Sequence, residues 1–183
     1  FVMKKNALKV YLENPGKLVL RIGKNSFLKY LDDERYLKLS YRINTGRNLN
    51  LSTPETFNEK VQWLKIHDRK NIYTSLADKY EAKEIIKNII GKEYIIPTLG
   101  VWDKYEDIDF KKLPEKFVLK CTHDSGGLVI CRNRKEINYS EIEKKIKESL
   151  KKNYYWSGRE WPYKNIKPRI LAEKLMGENE KKG

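Results

Sequence analysis

Residues 117–131 decide the fold: Phe117-Val118-Leu119-Lys120-Cys121-Thr122-His123-Asp124-Ser125-Gly126-Gly127-Leu128-Val129-Ile130-Cys131. An apolar, β-rich run holding one lysine turns through a small polar loop with two glycines and returns as a second apolar run. Pro114 precedes it and Asn133 follows. Apolar runs bounded by turn residues read as a hairpin, and Gly-Gly can supply the positive φ of a short turn. With Ser125-Gly126-Gly127 as that turn, Cys121 faces Cys131 and Lys120 faces Arg132. Val118, Lys120 and Thr122 then share one side of the strand; Phe117, Leu119 and Cys121 share the other.

A lysine inside an apolar strand needs a partner or a path to water. A phosphate would satisfy it, and a glycine-containing loop alongside could bring a nucleotide to backbone amides. The plainer alternative is a lysine on the wet face of an antiparallel sheet. The loop is not a Walker A, because the Gly-x-x-x-x-Gly-Lys order is absent.

Composition narrows the classes. The 183 residues suit one domain or two small lobes. Hydrophobic residues are 39%, but twelve tyrosines, five phenylalanines and four tryptophans give enough apolar material to fold. The net charge is +14, from 39 Lys+Arg against 25 Asp+Glu, which favours anionic partners. The lysines are spread along the chain rather than gathered on one arm, which disfavours a nucleic-acid track. Two cysteines, Cys121 and Cys131, cannot build a disulfide framework and read as a reduced pair. Only His67 and His123 are present and no Cys-x-x-Cys occurs, which argues against zinc. No apolar run is long enough to cross a bilayer, and Lys9, Glu13 and Lys17 break up any signal-peptide core.

Working outward, Asn14-Pro15-Gly16 marks a turn. Ser26 reads as the cap of a helical stretch carrying Phe27, Leu28, Leu31, Tyr36, Leu37 and Tyr41, which Gly46 ends. Thr53 as N-cap and Pro54 as first residue open a helix with Phe57, Val61 and Leu64 on one face. Asp78, with Glu81 three residues on, caps a helix striped by Ala82, Ile86 and Ile89 and stopped at Gly91. Tyr94-Ile95-Ile96 reads as a short strand cut by Pro97. Two aspartates, Asp107 and Asp109, suit capping duties better than a metal. Ser140 and Glu143 cap a helix with Ile142, Ile146 and Leu150 inward. In Asn153–Tyr163, aromatics alternate with polar groups, and Gly158 and Pro162 argue against a regular element. Such a stretch suits either stacking on bases or sugars or pinning a loop to the body. Pro168–Gly177 reads as a final strand.

The ordered blocks Pro54-Glu55-Thr56-Phe57-Asn58-Glu59-Lys60-Val61-Gln62-Trp63-Leu64-Lys65, Ala77-Asp78-Lys79-Tyr80, Ile96-Pro97 with Leu99-Gly100-Val101-Trp102, Asp109-Phe110 with Leu113-Pro114, Phe117-Val118-Leu119-Lys120-Cys121, Arg159-Glu160-Trp161 with Tyr163, and Pro168-Arg169-Ile170-Leu171-Ala172-Glu173 resemble the TupA-like ATP-grasp family. That family is associated with bacterial teichuronopeptide, capsule and other surface-polysaccharide biosynthesis, and some members carry a glycosyltransferase label. The resemblance implies an α+β fold: an N-terminal helical region (1–72), then an incomplete ATP-grasp domain (73–176) with a mostly antiparallel sheet flanked by helices, then a disordered tail (177–183). It implies that Lys120 contacts nucleotide phosphates beside a flexible loop from Thr122 to Gly127, including Ser125 and Gly126, with Lys83 as a second phosphate lysine. Glu173, Lys174 and Leu175 would hold adenine and ribose at a hinge. Arg159, Tyr163 and Arg169 are candidates for an acidic substrate.

The implied chemistry is carboxylate activation: ATP phosphorylates a carboxylate on a saccharide or amino acid, and an amine attacks the acyl phosphate. Mg2+ would bridge the phosphates. Its carboxylate ligands are expected beyond the hinge, where this chain stops; the expectation is a fragment that does not catalyse unaided. The implied location is cytoplasmic, with the inner membrane face as an alternative. Two competing readings remain: a non-enzymatic basic module that binds nucleic acid or acidic polysaccharide through residues 154–163, and a glycosyltransferase, for which Asp107-Ile108-Asp109 is the only Asp-x-Asp spacing. Adjacent His123 and Asp124 would form a catalytic pair only if the turn bent them together.

Overall fold

The computed structural model describes residues 5–24 and 26–177. The expected tail therefore lies outside the described residues apart from Gly177. Among the described residues, eight α-helices and a four-stranded antiparallel sheet make an α+β chain, as expected. It divides into two compact units: one runs to Arg69 and adds Tyr155–Trp161, the other comprises Lys70–Tyr154 and the chain from Pro162 on.

The first unit is helical. It contains α1 (Lys5–Glu13), α2 (Pro15–Gly23), α3 (Asp33–Thr45) and α4 (Phe57–His67). Leu28, Tyr36, Leu37 and Leu49 are its buried centre, with Leu20, Leu31 and Ile66 packed against them. Ser26 makes no capping bond, and Phe27–Tyr30 is only a 3-10 turn; Asp32 caps α3 instead, accepting from the Arg35 amide. Gly46 ends α3 at φ 72°, as read from the sequence. The start of α4 lies later than Thr53-Pro54. Thr56 and Glu59 form a reciprocal capping box there, while the Asn50 side chain ties Thr53 into a turn.

The second unit carries α5 (Asn71–Ala77), α6 (Glu81–Ile90), α7 (Tyr139–Leu150) and the strands β1 (Thr98–Trp102), β2 (Phe117–Cys121), β3 (Leu128–Cys131) and β4 (Ile170–Lys174). The order across the sheet is β1-β4-β2-β3. Pro97 displaces the expected strand: Lys92–Tyr94 is a 3-10 turn, and β1 begins only at Thr98. Asn138 rather than Ser140 caps α7, since its carboxamide oxygen accepts from the Glu141 amide at 3.2 Å. Tyr155–Gly158 is a short helix, α8, which belongs to the first unit, where the sequence suggested no regular element.

One face of the sheet is closed. Phe117, Leu119, Cys121, Ile170 and Ala172 pack with Ile142 and Ile146 of α7, and Phe117, Leu119, Cys121, Ile146, Ile170 and Ala172 have no measurable exposure. Burial pushes the Cys121 thiol up to about 11, so it behaves as an inert apolar group. On the opposite face, Val118 stands across from Glu173 and Lys120 across from Leu171. The alternation read from residues 117–121 therefore holds. The hairpin register does not: Phe117 pairs with Cys131 and Lys120 with Leu128. The connection is longer than a three-residue turn because the Gly127 carbonyl accepts from the Cys121 amide at 3.1 Å, closing a loop from Thr122 to Gly127.

Candidate functional site

Lys120 and Glu173 come from the two central strands, and Lys83 comes from α6. Lys83 Nζ donates to Glu173 Oε1 at 2.5 Å, and the Lys120 ammonium pairs with Glu173 Oε2. The Glu173 side chain is 6% exposed, Lys83 12% and Lys120 30%. Burial would raise the Glu173 pKa, but hydrogen bonds from Lys120 and Lys83 overrule it and hold the carboxyl below its ordinary value. The triad carries one net positive charge. Its least buried member, Lys120, lies at the end of β2 that leads into the loop.

The loop is anchored from below. Thr122, His123, Asp124 and Gly127 are buried, while Ser125 and Gly126 form an exposed tip. Asp124 accepts from the Gly127 amide at 3.1 Å and from the Ser149 hydroxyl of α7. His123 Nε2 lies 3.2 Å from the Ser149 carbonyl oxygen. His123 and Asp124 therefore both engage Ser149 as loop anchors. Lys79 closes the other side: its ammonium donates to the carbonyls of Cys121, at 2.9 Å, and Asp124. Burial lowers the Lys79 pKa, opposed first by Asp124. The Thr122 amide donates to the Arg169 carbonyl at 2.9 Å, and its hydroxyl to the Lys167 carbonyl at 3.3 Å. Gly126, at φ 154° with open space around it, gives the tip a backbone that other residues rarely adopt.

Gly127 is required for a different reason. A Cβ there would lie 2.4 Å from Ser149 Oγ and 3.0 Å from Cys121 Sγ. Ser149 Oγ is held by Asp124 and cannot simply swing aside. Gly127→Ala is expected to lower stability by about 2 kcal/mol through overpacking, read as a shift in the urea midpoint.

The sequence model of one family, TupA-like ATPgrasp, matches residues 59–182. The chain belongs to the TupA-like ATP-grasp family. An ATP-grasp-related function follows from that membership. No curated protein and no solved structure matches the chain.

With the TupA-like family established, the remaining candidates can be placed. Lys174 follows Glu173 at the end of β4, exposed, with its amide bonded to the Pro97 carbonyl at 3.0 Å. Leu175 is the first residue beyond the strand and is half-buried. Arg169 pairs with Asp78 at 2.9 Å and Glu81 at 3.0 Å and stacks over Tyr80, locking the start of α6 to the start of β4. Asp78 does the capping expected of it, accepting from the Tyr80 and Glu81 amides, but Glu81 faces Arg169 rather than completing the box. Tyr163 packs edge-on against Tyr154. Arg159 belongs to the first unit and is 2% exposed; its guanidinium donates to the Leu28 and Leu31 carbonyls. That placement favours the pinning alternative read for residues 153–163. Lys79 and Ser149 escape the sequence reading as site residues, and Asp124 enters it only within the loop and as a partner for His123. Lys79 stood inside a recognised block, whereas nothing local marks Ser149 as the partner of a loop 25 residues away.

The ATP-grasp family uses ATP and Mg2+. The ammonium pair and the glycine loop fit a polyphosphate. Among the described residues, no three His, Cys, Asp or Glu side chains converge as a metal site.

Proposed function

We propose that this chain is the nucleotide-binding portion of an ATP-grasp ligase of cell-surface polysaccharide biosynthesis. The carrying observation is the convergence of Lys83 and Lys120 on Glu173 beside the Thr122–Gly127 loop. ATP, when bound, would supply the phosphoryl group that turns a substrate carboxylate into an acyl phosphate, open to attack by an amine. Lys120 and Lys83 would bind the phosphates, and Glu173 would hold both ammonium groups in place. The exposed Ser125-Gly126 tip would offer amides over the phosphates while Lys79, Asp124 and Ser149 hold the base of the loop still. The hinge backbone at Lys174 and Leu175 would meet the adenine. Mg2+ would be carried on the phosphates, with its protein carboxylates coming from outside this cluster. The proposed substrates are a carboxylate-bearing saccharide or amino acid and an amine, in the cytoplasm. Arg169, engaged with Asp78 and Glu81, would frame the site rather than bind substrate.

Lys120→Met tests the reading. Removing one charge-assisted contact is expected to weaken ATP binding roughly ten- to hundredfold, measured calorimetrically with Mg2+ present. Stability should change little, because Lys83 still neutralises Glu173. Unchanged ATP affinity, or no saturable ATP binding by the parent chain, would overturn the assignment.

A further inference from the structure

We propose that α1 and α2 of the first unit form a docking surface for an anionic lipid layer. Leu20 and Gly23 turn α2 toward the core of its unit, and Leu28 fills the space that a side chain at Gly23 would need. Among the described residues, nothing covers the other side of α2. Val19 and Ile22 are 45% and 60% exposed, Leu12 at the end of α1 is 74% exposed, and Phe27 just after α2 is 56% exposed. No helix of the described residues is long and apolar enough to cross a membrane, so an apolar surface of this kind would lie on a bilayer rather than span it.

Charge on the same segment selects the occupant. From Lys9 to Leu31 the basic residues are Lys9, Lys17, Arg21, Lys24 and Lys29, and the only acid is Glu13, paired with Lys9 at 3.9 Å. Lys17, Arg21 and Lys24 recur at i, i+4, i+7 and line one groove of about 350 Å3, with Tyr11 and Ser157 on its walls. Val10, 41% exposed, lines the same groove and sets an aliphatic side chain beside these cations, which matches a phosphate headgroup with its acyl chain. Nucleic acid and acidic polysaccharide would use the cations but leave Leu12, Val19 and Ile22 in water. A bilayer uses both, since cations near its surface are drawn to anionic headgroups while aliphatic side chains enter the acyl boundary.

The test is co-sedimentation with vesicles of phosphatidylcholine containing roughly one-third phosphatidylglycerol, against pure phosphatidylcholine. The chain should bind the anionic vesicles and not the neutral ones. The pair Val19→Ser and Ile22→Ser leaves the charge untouched and lies on an exposed face; it should weaken binding about tenfold or more with unchanged helicity. Lys17→Gln with Lys24→Gln should weaken it comparably. Lys111→Gln with Lys144→Gln, exposed charges of the other unit, should leave it nearly intact. Equal losses from the two lysine pairs would mean only diffuse attraction of a +14 chain and would overturn the proposal. So would full binding by the serine pair, or complete displacement by a soluble acidic polysaccharide.

Discussion

Glu173→Ala is expected to destabilise the second unit by about 3 kcal/mol and to weaken ATP binding, although Glu173 carries the same sign of charge as ATP. The loss follows from what is left behind. Two ammonium groups, one of them 12% exposed, would face each other across an empty space on the sheet. A buried pair broken on one side costs far more than the pair was worth, because the surviving charge stays desolvated. Lys120 is wetter and contributes less. Combining Lys83→Met with Glu173→Ala should recover part of the loss, since no deeply buried charge is then unmatched. Urea unfolding of the two variants checks this; a double variant no more stable than Glu173→Ala alone would show that packing, not charge, dominates.

The same carboxylate sets a pH dependence. Its folded pKa lies below its ordinary value of 4.5, so deprotonation favours the folded state. The stabilisation is fully present above about 4.5, and it is lost as pH falls through the lower folded value. The stability gap between the parent chain and Glu173→Ala should therefore be constant at neutral pH and close in acid. A gap that widened in acid would mean that the carboxyl is protonated in the native state.

Local signals in the sequence sufficed for some parts of this arrangement and not for others. The strand alternation at Phe117–Cys121, the helix stops at Gly46 and Gly91 and the cap at Asp78 all depend on near neighbours, and each was readable. The hairpin register depends on where the loop closes, with the Gly127 carbonyl accepting from the Cys121 amide, and differs from the one expected from a three-residue turn. The same holds for cap choice: Thr53-Pro54 and Ser140 are good local starts, but Thr56–Glu59 and Asn138 make the bonds. Lys120 was singled out because a lone charge in an apolar strand needs a partner. Its pairing with Glu173 required the sheet order β1-β4-β2-β3, which no local pattern encodes. Arg159 shows a different limit. An arginine among aromatic residues has one composition whether the rings are its cage or a platform for a ligand.

Arg159→Ala separates those two roles. Tyr36, Trp156 and Tyr155 surround the guanidinium, with their ring centres 4.5, 4.6 and 5.3 Å from it. It also bonds the Leu28 carbonyl at 2.7 Å and the Leu31 carbonyl at 3.2 Å, and lies 3.6 Å from Asp33. Asp33 is further held by Arg69 at 2.5 Å and by the Tyr155 hydroxyl, whose pKa is pushed up to about 12, first by burial and then by that bond. Removing the side chain takes this donor from the Leu31 carbonyl, leaves the Leu28 carbonyl only the Leu31 amide at 3.4 Å, and opens a void among three rings, so a loss of about 3–5 kcal/mol is expected. Arg159→Lys should recover less than half of it, because one ammonium cannot stack on the rings and span two carbonyls at once. ATP affinity, measured where each variant is fully folded, should stay within about twofold. A substrate arginine would behave in reverse, keeping the chain stable when truncated; full stability in Arg159→Ala would return this residue to the binding surface.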